Sequence, residues 1–143
     1  MAQPNYRTDA SASRIIKIEE DKLVDVVTLT IKDGTTHSLG LPLHLQGKVL
    51  LPAGFKADSK FTENHSEPFK YWTDVKRAEF KDRATFEVKY ADVRLQVTLQ
   101  LSGPFTIWHG SVPDMPPKRR DVLYIETTGT KAVVTTTFAP LNP

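Results

Sequence analysis

Between Ala84 and Ser102 the chain reads ATFEVKYADVRLQVTLQLS, and apolar and polar residues alternate there more cleanly than anywhere else. A period of two is the signature of a strand with one buried face. Phe86, Val88 and Tyr90 share one parity and Val93, Leu95, Val97, Leu99 and Leu101 the other, so the apolar face changes register at Ala91-Asp92. One unbroken strand would run roughly 60 Å at about 3.3 Å per residue, too long for a small domain. A two-residue hairpin pairs Tyr90 with Val93, Val88 with Leu95 and Phe86 with Val97 on a single face, and it is the preferred reading. It also sets Lys89 against Arg94 and lacks the Gly or Asn of a tight primed turn, which leaves a β-bulge as the alternative.

The same alternation recurs along the chain. Arg14 to Ile18 is a short apolar run followed by an exposed turn, Glu19 to Lys22. Val27, Leu29 and Ile31, then Leu39, Leu41, Leu43 and Leu45, all occupy odd positions on either side of Asp33-Gly34. An odd-length hairpin loop there pairs Ile31 with His37, Leu29 with Leu39 and Val27 with Leu41, and points His37 toward the core end. Pro42, on the opposite parity, marks a sheet edge or a bulge. Lys48 to Leu51 is a further short strand, and Val75 to Arg83 fits a helical turn or a polar strand. Phe105, Ile107 and His109 face away from Thr106 and Trp108 in the next alternating run. Val122 to Thr127 and Lys131 to Ala139 read as a terminal hairpin around Thr128-Gly129-Thr130.

About nine or ten short strands follow, with turn signals between them: an all-β fold, either an antiparallel barrel or a two-sheet sandwich. Residues 1–13 are small and polar and read as a flexible N-terminal arm, with a single all-β domain over 14–143. The chain has 143 residues and no cysteine, which excludes disulfide frameworks, thiolate metal sites and thiol nucleophiles. Its 19 basic and 17 acidic residues leave a net charge of +2, too little field to argue for nucleic acid. The opening MAQPNYRTDASAS has no apolar core and no run reaches membrane-spanning length, so a soluble, cytoplasmic protein without a membrane partner is expected.

Phe55 to Asp74 breaks the alternation: it is polar and charged, yet holds Phe55, Phe61, Phe69, Tyr71 and Trp72. Connections this long are more often functional or self-packed than idle. Phe69, Tyr71 and Trp72, with Trp108-His109 and His65, are the aromatic and polar groups a glycan or small polar-aromatic ligand would use, because ring faces stack on C–H surfaces while an imidazole satisfies hydroxyls. The competing reading is a loop that pins itself to the domain with its own aromatics. Glu63, His65 and Glu67 alternate at spacing two, but three ligands from one strand seldom close a coordination sphere, so no metal and no cofactor is expected. Lys118-Arg119-Arg120 has no interleaved aromatics.

No phosphate loop, nucleophile elbow or dinucleotide pattern is present. Three readings follow. The first is a non-catalytic binding protein for a glycan or small polar-aromatic ligand. The second is a barrel enzyme or carrier with a hydrophobic substrate in its lumen and His37, His109 or Glu63 as acid or base. The third is a structural or assembling subunit, with viral subunits among the class, that builds a large homo-oligomer through contacts of the N-terminal arm and the Pro42-bearing edge.

Overall fold

A computed structural model describes residues 2–7, 10–45, 47–58, 61, 71–113 and 119–141. Twelve strands are found among them: β1 (Ala2–Arg7), β2 (Ala10–Glu19), β3 (Lys22–Ile31), β4 (His37–His44), β5 (Lys48–Leu50), β6 (Lys56–Ala57), β7 (Thr73–Phe80), β8 (Arg83–Tyr90), β9 (Val93–Gln100), β10 (Phe105–Pro113), β11 (Arg119–Gly129) and β12 (Lys131–Pro140). They form a seven-stranded sheet in the order β1-β2-β3-β12-β9-β8-β5 and a five-stranded sheet in the order β4-β11-β10-β7-β6. Every pairing is antiparallel. Both sheets end in edge strands, so of the two architectures compatible with the sequence the chain adopts the sandwich and not the closed barrel.

The hairpin at Ala91-Asp92 has the register its parity dictates: Tyr90 opposite Val93, Val88 opposite Leu95, Phe86 opposite Val97 and Lys89 opposite Arg94. Its apolar side chains face the interlayer space. Phe86, Val88, Val97 and Leu99 from one sheet pack there against Leu43, Ile107, Leu123 and Ile125 from the other. Burying each such side chain stabilises the fold by about 1.5–3 kcal/mol relative to leaving it in water.

Two expected hairpins are instead corners between the sheets. β3 and β4 do not pair: β3 lies between β2 and β12, while β4 pairs with β11. Val27 and Leu43 still face the core from odd positions, but from opposite layers, because parity fixes which face is buried and not which strand lies alongside. The connection turns on Gly34, at φ 74, and on Asp33, whose Oδ1 accepts from the Thr35 amide at 2.9 Å. Likewise β11 and β12 meet at Thr130 without pairing, β11 joining β10 and β4, and β12 joining β3 and β9. Val75 to Arg83, compatible in sequence with a helical turn or a polar strand, holds strand: β7 runs to Phe80, and Arg83 begins β8. Pro42 sits in β4, an edge strand of the five-stranded sheet, where a missing N–H is tolerated.

Within the stretch expected as an arm, 1–13, Ala2–Arg7 form β1, an edge strand of the seven-stranded sheet paired with β2. Ala10 to Ser13 are the first residues of β2, paired with Ile31 to Thr28, and Ala10 is buried.

Candidate functional site

The two faces of the five-stranded sheet do different things. Odd positions of β10 and β11 face the core; even positions, with the odd positions of β7, face outward. On that outer face lie Val75, Trp108 and Val122, and onto them fold Phe61 and Trp72 from the ends of the long connection. Phe61 is fully buried, with ring centroids 4.7 Å from Trp72 and 4.8 Å from Trp108. Tyr124 closes the cluster edge-on, 6.3 Å from Phe61. Two glycines make room: a Cβ on Gly110 would collide with Trp72, and one on Gly40 would collide with Tyr124.

The two tryptophans expected to present ring faces to a ligand are thus brought together, but as the walls of a satellite core. Trp72 is 7% exposed and Trp108 8%. The reading in which the long connection pins itself down with its own aromatics describes these residues. Tyr71, by contrast, is exposed. Phe69, His65, Glu63 and Glu67 lie outside the described residues, as does Lys118.

Polar groups frame Trp108. Its Nε1 donates to Glu126 Oε1 at 3.2 Å, Ser38 Oγ donates to Glu126 Oε2 at 2.9 Å, and the Arg77 guanidinium lies 5.1 Å from the indole centroid. Arg77 is in turn held by Glu79 Oε1 at 2.6 Å. The sequence reading missed Arg77, Glu126 and Ser38. Parity would group them once the β4-β11-β10-β7 order is known, but no local pattern supplies that order. Beside this frame, at the corner end of the sandwich, opens a cleft of about 570 Å³ with Ser38, Glu79, Thr106, Glu126, Thr128 and Lys131 on its walls.

The histidines separate. His37 does not point into the core: it is exposed at the start of β4, with Nε2 2.6 Å from Thr35 Oγ1. Its odd parity is right, but β4 begins beyond the last layer of core side chains. His109 faces the interlayer space among Lys76, Leu123 and Asp121. Among the described residues neither ring nitrogen has a hydrogen-bond partner, and Asp121 Oδ2 stands 3.7 Å from Nε2, beyond hydrogen-bond range. Burial pushes the imidazole pKa down, the Asp121 carboxylate opposes that shift, and Lys76 adds to it. Asp121 Oδ2 already accepts from the Val49 amide at 2.9 Å. The structure therefore keeps His37 and His109 apart and gives them no shared nucleophile.

On the far side of the sandwich, the seven-stranded sheet extends past the five-stranded one. Asp25, 2% exposed, receives Arg14 Nε at 2.9 Å and the second guanidinium nitrogen at 2.7 Å. The hydrogen bonds and charge of Asp25 hold the Arg14 pKa above its ordinary value, against a smaller opposing effect of burial. This pair borders a groove of about 320 Å³ with Leu23, Val27, Leu41, Leu43 and Phe138 on its walls. Leu23 is exposed at the rim of the groove, and beyond it Ile15, Ile16 and Ile18 are exposed, as are Leu50, Tyr90 and Val93 at the other side of the sheet.

Among the described residues no three His, Asp or Glu side chains are grouped to hold a metal ion, and no helix is long and apolar enough to cross a membrane. No protein-family model matches this chain, and no curated protein matches it.

Proposed function

We propose that the chain is a structural, assembling subunit that associates with copies of itself through the projecting β2–β3 hairpin. One observation carries this reading: Ile16, Ile18 and Leu23 are exposed on one face of a single hairpin, and Ile15 is exposed on its other face. Isolated exposed apolar residues are ordinary, but a contiguous set on a projecting element is what an interaction surface looks like. An edge of paired strands also offers a template for further association. Sedimentation velocity across a wide concentration range tests it. Wild type is expected to shift to a larger species with concentration and Ile16→Lys/Ile18→Lys to remain a monomer; a wild type that is monomeric throughout removes the reading.

A second reading, recognition of a hydroxylated ligand such as a glycan, is favoured by the cleft beside Trp108, whose walls offer hydroxyls from Ser38, Thr106 and Thr128 and carboxylates from Glu79 and Glu126. In this version the tryptophans neither line the cleft nor stack on the ligand, and Trp108 bears on it through the hydrogen bond from its Nε1 to Glu126. A thermal-shift screen against soluble sugars tests it: stabilisation lost in Glu126→Gln supports the cleft, and no stabilisation by any sugar counts against it.

A further inference from the structure

The two hairpins with the most exposed apolar residues lie at the same end of the same sheet. β12 runs between β3 and β9 and is antiparallel to both, with Phe138 opposite Leu23 on one side and Pro140 opposite Leu95 on the other. The β2–β3 turn at Glu20-Asp21 and the β8–β9 turn at Ala91-Asp92 therefore project together, flanking the end of β12. Ile18 is 79% exposed on the first hairpin, and Tyr90 and Val93 are 58% and 55% exposed on the second.

Their charges are opposite. The first turn carries the consecutive acids Glu19, Glu20 and Asp21. Beside the second, Lys48, Lys89 and Arg94 are successive cross-strand partners on β5, β8 and β9, so three cations form one row. Like charges directly opposite one another are unfavourable in a sheet. Glu87 is bonded to Arg94 at 2.6 Å and Asp92 stands at the turn itself, so the turn end of the second hairpin with Lys48 keeps an excess of one cation, while Lys22, opposite Glu19, leaves the first turn with an excess of two acids.

From this arrangement we infer that two copies of the chain dimerise end to end, about a two-fold axis normal to the seven-stranded sheet just beyond β12. That axis exchanges the two sides of the sheet. Each acidic β2–β3 turn then meets the basic row and the Tyr90–Val93 pair of the other copy, and the contact is made twice, closing the assembly at two subunits. The inference rests on the self-association proposed above and adds its partner surface and symmetry. A sheet end about 30 Å wide is small for an interface, so the dimer is a weak, reversible one whose charge pairs respond to salt.

The test is sedimentation equilibrium of the full chain at low and high ionic strength, with two charge-reversed variants. Glu19→Lys/Glu20→Lys/Asp21→Lys has two basic hairpins, and Lys48→Glu/Lys89→Glu has two acidic ones. Each alone is expected to dissociate roughly tenfold or more readily than wild type, and their equimolar mixture to recover dimers of near wild-type affinity, because both contacts are again between opposite charges. Recovery on mixing also shows that both variants are folded. A wild-type dimer indifferent to both reversals overturns this interface while leaving self-association standing. A wild type that is monomeric at every concentration overturns self-association itself.

Discussion

Trp72 packs against Gly110: a Cβ built on that glycine would collide with Trp72 Cε3 and stand 3.2 Å from Cδ2 and Cζ3. The contact ties the end of the long connection to the middle of β10, with Phe61 wedged between Trp72 and Trp108. Gly110→Ala is therefore expected to lever Trp72 off the sheet and to lower stability by about 1–3 kcal/mol, the usual penalty of overpacking a filled site. Because Trp72 and Trp108 are the only tryptophans in the chain, the fluorescence maximum should move to the red in the same variant. Gly103→Ala, where an added Cβ meets nothing within 4 Å among the described residues, is the control. An unshifted spectrum in Gly110→Ala would show that the ring has room elsewhere.

Arg14 and Asp25 should respond unequally to substitution. Asp25 is buried opposite Thr136, itself buried, whereas the Arg14 side chain is 54% exposed. Removing the arginine leaves a buried carboxylate without its bidentate partner, a loss of about 1–3 kcal/mol, less than for a wholly buried pair because the arginine is half in solvent. Removing the aspartate releases a cation that water can solvate. Arg14→Ala is thus expected to be the more damaging single change, and Arg14→Ala/Asp25→Leu to regain most of the loss. Urea denaturation of the three variants decides this; a double variant no better than Arg14→Ala would place the destabilisation in lost packing of the arginine stem.

What the sequence discloses and what it hides divide along physical lines. Parity is local: it needs only neighbouring residues, and so the Tyr90–Val93 register and the inward face of Val27, Leu39 and Leu43 are readable from the chain. Strand partnership is not local. Leu29 and Leu39 have the parity of a hairpin pair, yet they belong to different sheets, since an odd-length connection can either fold back or turn the corner without changing the face it presents. The site suffers most from this. The meeting of Phe61, Trp72 and Trp108 depends on β10 lying beside β7 and on two glycines, Gly40 and Gly110, whose role is to be small under a ring; an isolated glycine in an alternating run carries no mark of what covers it. The exposed isoleucines of β2 were legible as an apolar run, but their exposure follows only from the seven-stranded sheet outreaching the five-stranded one.

His109 predicts a pH dependence. Its folded-state pKa is depressed, chiefly by burial, with Asp121 opposing and Lys76 reinforcing the shift, so the unfolded chain takes up a proton that the folded chain refuses. Stability rises with pH wherever the unfolded state binds more protons. Above about pH 6.5 both states hold the imidazole neutral and the contribution is constant; as pH falls from there toward the folded-state pKa, stability is lost. The melting temperature of wild type should drop between pH 7 and 5 more steeply than that of His109→Leu, the carboxylates being common to both. Parallel curves would mean that His109 protonates in place, with Asp121 compensating its burial.

The turn at Ala91-Asp92 holds a strained residue that can be relieved. Ala91 has φ 52, in the left-handed region where a Cβ is crowded by the following carbonyl. The hydrophobic register still forces that conformation, because Tyr90 must lie opposite Val93 for Phe86 and Val97 to share the core face. Glycine adopts it without strain, and although glycine also gives the unfolded chain more freedom, the balance at a positive φ favours it. Ala91→Gly should therefore raise stability by about 0.5–1 kcal/mol, read as a higher urea midpoint at an unchanged slope. The reciprocal change, Gly54→Ala at φ 102, meets no atom of the described residues within 4 Å and should lower the midpoint through backbone strain. Both measurements belong at low protein concentration, where association through the neighbouring Tyr90 and Val93 does not add to the native state. A loss of stability in Ala91→Gly would mean that the unfolded-state entropy outweighs the strain at this turn.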